Sequence, residues 1–127
     1  MKVSELEGPL LDFWVARAEG NLAQGSTSPE NAIVEHYGFG GEIDGRSPLS
    51  SWAPSTEWDS GGSIIERERI IAIPYREGGW GAAYEFDPDA RGGCFYMSTS
   101  QEGETLLIAA MRAYVASKFG DEVPDEK

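Results

Sequence analysis

The chain contains almost none of the residues that build metal centres or thiol chemistry. Its 127 residues include one cysteine, Cys94, and one histidine, His36. A lone cysteine excludes an intrachain disulfide and points away from an oxidising compartment. One His and one Cys cannot supply a His/Cys zinc site within one chain. They are also the one Cys–His pair available for nucleophilic catalysis, and no signature surrounds either. A cysteine in an apolar strand is commonly a small buried hydrophobe. Basic residues are scarce too: 10 Lys and Arg against 22 Asp and Glu leave a net charge of -12. Such a surface repels nucleic-acid phosphates and anionic membranes. Direct nucleic-acid binding is therefore not expected unless Arg17, Arg46, Arg67, Arg69 and Arg112 cluster. Long apolar runs are missing as well. The opening "MKVSELEGPLLDFW" is interrupted by Asp12 and reads as neither a signal peptide nor a membrane span, so a cytoplasmic protein is expected.

What the sequence does have is 16 glycines and 7 prolines, which imply short elements joined by many turns. At this length one domain is expected over 1–120, followed by an acidic, flexible tail over 121–127. "EGPLLDFWVARAEGN" reads as a helix: Pro9 suits its first turn, and Leu11, Trp14, Val15 and Ala18 fall at i, i+3, i+4 and i+7. "GETLLIAAMRAYVASKFG" reads as a second helix, with Thr105 as N-cap, a stripe of Leu107, Met111, Tyr114 and Val115, and Gly120 as the stop. Between them the signals are β, at "AIVEHY", "RIIAIPY", "WGAAYEF" and "CFYMS". "REGG" and "DPDARGG" have the turn chemistry to join the last three as hairpins. The fold class is α+β: a small antiparallel β-meander covered by an N-terminal and a C-terminal amphipathic helix. Residues 38 to 63 form a long Gly/Ser/Pro-rich loop region.

No catalytic constellation stands out, and a non-enzymatic protein without a cofactor or metal is expected. Asp87 and Asp89 flank Pro88 in a tight turn and lack the spacing of a calcium loop. "SGGSIIE" reads as a helix start capped by Ser60 or Ser63, and helix N-termini can hold anions. "YGFGGE" has a G-x-G-G run with no helix pattern after it. Neither stretch carries a dinucleotide-binding or Walker motif, so turn punctuation is the default for both. Glu66, Arg67, Glu68 and Arg69 read as self-neutralised charges on a solvated turn of helix. Trp14 and Trp80 are expected in the core; Trp52 and Trp58 can be either core or binding residues. The candidate ligand-binding set is Trp52, Trp58, Gly61, Gly62, Arg67, Arg69 and Arg112: aromatics to stack a base, a glycine-marked helix start for a phosphate, and arginines for countercharge.

These same residues carry a family resemblance. "STEW", then "GGSIIERERI", then "WGAA", then "LLIAAMRAYVASKFGDEV" are similar to the small phage and prophage proteins related to NinX, and "SELEGPLLDFWVARAEG" resembles their opening helix. The resemblance covers most of the chain, least so residues 22 to 50. It implies an accessory protein of temperate phages, and it carries no catalytic residue over. The function it suggests is binding of a host protein or a small ligand, a nucleotide among the candidates, for instance to counter host defence. The alternative is an acidic DNA mimic that inhibits a basic host protein, and a small enzyme ranks behind both. The sequence leaves open whether copies of the chain associate.

Overall fold

The computed structural model describes residues 1–85 and 97–124. A 3-10 turn at Val3–Glu5 precedes helix α1 (Gly8–Glu19). Strands β1 (Ile33–Tyr37) and β2 (Ile43–Pro48) follow, then a second 3-10 turn at Leu49–Ser51 and helix α2 (Trp58–Glu68). Strands β3 (Ile70–Pro74), β4 (Trp80–Glu85) and β5 (Met97–Gly103) lead into helix α3 (Leu106–Phe119).

The architecture is α+β. β3, β4 and β5 form the antiparallel meander, with Ile70 opposite Tyr84 and Trp80 opposite Gly103. Gly78 and Gly79 take positive φ in the β3–β4 turn, where the Tyr75 N–H donates to the Gly79 carbonyl and the Gly78 N–H to the Tyr75 carbonyl, a backbone conformation that glycine adopts without steric cost. β5 runs from Met97 through Gly103, later than the strand expected around Cys94, and residues 94 to 96 lie outside the described residues. β1 and β2 make a separate antiparallel pair. The stretch 38–63 expected as a loop thus contains β2 and the first half of α2. β2 reads poorly as a strand because "IDGRSP" holds Gly, Pro and Asp. It forms because β1 supplies its ladder, while the far edge of β1 is bridged in turn at Leu22 and Val34.

α3 is the centre of the molecule. Its start is capped as expected: the Thr105 hydroxyl accepts the Ile108 N–H at 3.1 Å. Its end is closed by Gly120, at φ 88, whose N–H donates to the Ala116 carbonyl. Besides the expected stripe of Leu107, Met111, Tyr114 and Val115, the residues Ala109, Ala110, Ala113 and Ala116 are buried. An apolar girdle of this width is what a helix surrounded by partners needs. α3 lies against all three strands of the meander, and both α1 and α2 pack on α3. It is therefore an inner layer rather than an outer cover. α1 is likewise buried through its middle, from Leu11 to Ala16, with Phe13 as well as the expected Leu11, Trp14 and Val15. Trp14 meets Phe13 and Phe119 edge-on, at 5.8 and 5.4 Å between centroids. Trp80 is half-buried and packs against the same core.

Two glycines allow this crowding. A Cβ on Gly61 would lie 2.2 Å from the Pro54 carbonyl oxygen and 2.6 Å from Leu107 Cδ2. A Cβ on Gly103 would lie 2.6 Å from the Ala109 amide nitrogen. The chain after α3 turns back to the N-terminus: Lys2 bridges Glu122, Val3 donates to the Asp121 carbonyl, and Val123 is buried. The segment expected as tail is thus tied to the body up to Val123, and residues 125 to 127 lie outside the described residues.

Gly61→Ala and Gly103→Ala should each cost about 1–3 kcal/mol, because the opposing atoms are backbone and cannot step aside. Gly45→Ala, where a Cβ meets nothing within 4 Å, should stay within about 0.5 kcal/mol of the parent. Urea unfolding midpoints of the three variants check this ordering.

Candidate functional site

The seven candidate residues do not converge on one site. α2 starts at Trp58, earlier than either expected serine cap, so Gly61 and Gly62 lie inside the helix rather than at its entry. Its N-cap residue Glu57 makes no side-chain cap, and the Ser63 hydroxyl donates back to the Asp59 carbonyl at 2.9 Å. Gly61 lies closely against the Pro54 carbonyl and the Leu107 side chain of α3. Gly62 has another use: a Cβ there would lie 3.2 Å from Trp58 Cε3, so the indole rests on the helix over Gly62, one turn on.

Trp58 is 59% exposed. It borders a groove of about 240 Å³ between the start of α2 and the start of α3, lined by Ser55, Thr56, Thr105, Leu106, Leu107 and Ile108. Exposed Glu57 and Asp59 flank Trp58 in the chain, and exposed Glu104 adjoins Thr105. The loop leading into the groove is anchored from below. Asp12, 5% exposed, accepts the Ser55 N–H at 2.9 Å. Burial raises the Asp12 carboxyl above its ordinary value, and the Ser55 hydrogen bonds pull the other way. Trp52 is half-buried, packs against the core and does not line the groove.

The arginines serve elsewhere. Arg67 sits nine residues beyond Trp58, roughly 13 Å along the helix. It forms a two-pronged ion pair with Glu19 at the end of α1, with Nη1 to Oε1 at 3.0 Å. Its Nε donates to Glu68 at 3.0 Å, and Glu68 accepts the Tyr84 hydroxyl at 2.9 Å. The Tyr114 hydroxyl donates to Glu19, and the Arg67 guanidinium lies 5.6 Å from the Tyr114 ring centre. The charges of this stretch do pair with each other at Arg67–Glu68. The larger partner of Arg67 is Glu19, 48 residues away, which spacing along the chain cannot reveal. One network therefore joins α1, α2, α3 and β4. Arg69 is exposed and closes α2 in a left-handed conformation, φ 58. Arg112 donates to the Leu6 carbonyl at 2.8 Å and the Glu102 carbonyl at 2.6 Å, and burial lowers its affinity for its proton. It lines a broad cleft of about 600 Å³ with Tyr75, Glu77, Glu102 and Glu104, whose carboxylates outnumber it.

No group of three or more His, Cys, Asp or Glu suited to a metal occurs among the described residues. His36 is exposed, its Nε2 2.8 Å from the Ser47 hydroxyl. Cys94, Asp87 and Asp89 lie outside the described residues.

Substitutions at Glu19 and Asp12 separate these roles by pH. Glu19 is held below its ordinary 4.5: burial opposes this, and the hydrogen bonds from Arg67 and Tyr114 with the charges of Arg67 and Lys118 outweigh it. Its contribution is therefore present above about pH 4.5 and lost as pH falls through the lowered folded-state value. Thermal melts from pH ~6 to ~3 should show the parent losing more stability than Glu19→Gln. Half of the Arg67 side chain is exposed, so water screens the pair and Tyr114→Phe should cost only about 1 kcal/mol. Asp12 has the opposite sign: its contribution is present below its unfolded value and lost as pH rises through the raised folded one. Asp12→Asn keeps the oxygen that faces Ser55 and should hold or gain stability at pH 7. Asp12→Leu strands the Ser55 N–H and should lose about 1–3 kcal/mol in the same melts.

Comparison with known proteins adds one match. The protein-family model described as Bacteriophage P22, NinX matches residues 2–118, including the 22–50 stretch where the motif likeness was least. No curated protein matches the chain.

Proposed function

The chain belongs to the bacteriophage P22 NinX family, and from that premise we propose that it is a non-catalytic phage accessory protein that binds a host protein at the Trp58 groove. The carrying observation is Trp58 itself, a 59% exposed indole seated on Gly62 beside a mostly apolar groove. Large aromatics beside a pocket are the residues that anchor protein contacts, because they bury much area at low entropic cost. The flanking carboxylates of Glu57, Asp59 and Glu104 select the partner. It is a segment with an apolar side chain between lysines or arginines.

The same acids argue against a nucleotide there. Gly61 and Gly62 offer no free helix start, and Arg67 and Arg112 are already engaged within the chain. The reading keeps one element of a DNA mimic, attraction to a basic surface, and localises it at one groove. No helix of the described residues is long and apolar enough to cross a membrane, and the bacterial cytoplasm is the proposed place of action.

Immobilised protein tested against host lysate, with bound small molecules released and identified in parallel, checks the reading. Trp58→Ala should lower retention of the partner by roughly 30-fold or more, as loss of an interface anchor does. Trp58→Phe should lose less, and retention should weaken with salt. Undiminished retention by Trp58→Ala, or a nucleotide released from the parent, overturns it.

A further inference from the structure

We propose that the tip of the β1–β2 hairpin is a second docking element, which inserts Phe39 into an apolar pocket with a basic rim on a protein partner. The proposal stands independently of the Trp58 groove. Phe39 is fully exposed, and on either side of it Tyr37 is 51% and Ile43 44% exposed. Scattered exposed apolar side chains are ordinary; three large ones gathered at one tip are not. Tyr37 and Ile43 are direct cross-strand partners, so they lie side by side at the base of the turn that carries Phe39.

The tip is built rather than loose. Gly38 donates to the Glu42 carbonyl at 2.9 Å, Gly41 donates to the Gly38 carbonyl at 3.0 Å, and Gly41 takes φ 85. The ladder shifts register between His36 and Tyr37, a bulge that re-aims the end of the hairpin. Below the tip, the Tyr37 hydroxyl donates to Glu35, and Glu35 pairs with Arg46 at 3.1 Å. The far edge of β1 is tied to the body: Ala23 donates to the Ile33 carbonyl and Glu35 to the Asn21 carbonyl. A preformed finger loses little freedom on binding.

The charge at the tip names the partner. Glu42 folds its carboxylate back over the turn, so closely that a Cβ on Gly38 or Gly40 would lie 2.7 or 2.5 Å from its oxygens. Asp44 follows, and both are exposed. Arg46 is the near cation, and Glu35 already holds it. The apolar knob therefore carries an uncompensated acidic rim among the described residues, and its complement is apolar with lysine or arginine around it. An anionic lipid surface is repelled by that rim and by the net charge of -12. A second copy would bring like charge, although a cavity of about 360 Å³ lined by Pro9, Pro29, Pro48 and Leu49 could receive a ring.

The test places a photoreactive benzoylphenylalanine at position 39, with Gln24, also exposed, as control position, in full-length protein made in a host bacterium. Adducts after irradiation are identified by mass spectrometry. The expected result is a host-protein adduct whose cross-linked residue lies in a part of the partner's surface rich in Lys and Arg. Its yield should fall at least about tenfold with Tyr37→Asp, as for loss of an anchor, and several-fold between about 50 and 300 mM salt. Trp58→Ala should leave it unchanged, which separates this site from the groove. Unchanged thermal melts of the Tyr37→Asp variant exclude misfolding as the cause. Adducts only to the chain itself, only to lipid, or no more than at position 24 overturn the proposal, as does a host adduct indifferent to Tyr37→Asp.

Discussion

The packing of α1, α2 and the meander is organised by how closely α3 can be approached. Four alanines on its circumference, Ala109, Ala110, Ala113 and Ala116, are buried, and short side chains let the meander on one side and α1 and α2 on the others come near the helix axis. Gly61 and Gly103 complete the fit from outside, because α2 and β5 meet α3 where no side chain can stand between them. The apolar surface of α1, buried from Leu11 to Ala16, would lose its main partner without α3. The small residues are therefore as much a part of the core as Phe13 and Tyr114.

The polar network at the other end of α2 acts on the same arrangement by different means. Glu19, Arg67, Glu68, Tyr84 and Tyr114 hold the ends of two helices, the side of α3 and a strand with directional bonds, where packing alone would tolerate small slides. Asp12 does the corresponding work for the loop below Trp58, gripping the Ser55 amide from inside the core. The first half of α2 thus has both its incoming loop and its far end held, and Trp58 is presented from a supported element rather than from a free loop.

Local signals were readable and distant ones were not. Thr105 and Gly120 carry their capping chemistry in their own side chain and backbone freedom, so the bounds of α3 followed from sequence, as did Pro9 in α1 and the glycine turn between β3 and β4. β2 is not legible in sequence because "IDGRSP" has poor intrinsic strand character and becomes a strand through its pairing with β1. Ser60 and Ser63 look like caps and point to a later start of α2, whereas the helix begins at Trp58 behind Glu57 with no side-chain cap. The exposure of Trp58, the pairing of Arg67 with Glu19 and the engagement of Arg112 all depend on which elements become neighbours. Residue spacing within one segment holds no information on that. "YGFGGE" was correctly a turn, but nothing local reveals that its phenylalanine points to solvent.

The place of α3 in the chain bears on how the protein is made. The helix against which α1, α2 and the meander are buried runs from Leu106 to Phe119. While the ribosome is still adding earlier residues, α1 and the meander exist without the helix they pack on, and their apolar faces stay open to water or to chaperones. The core shared by α1, α2 and the meander therefore closes only once α3 has emerged. A ribosome that stalls shortly before Leu106 would release a chain with no finished core, and thus a substrate for proteases rather than a smaller working protein.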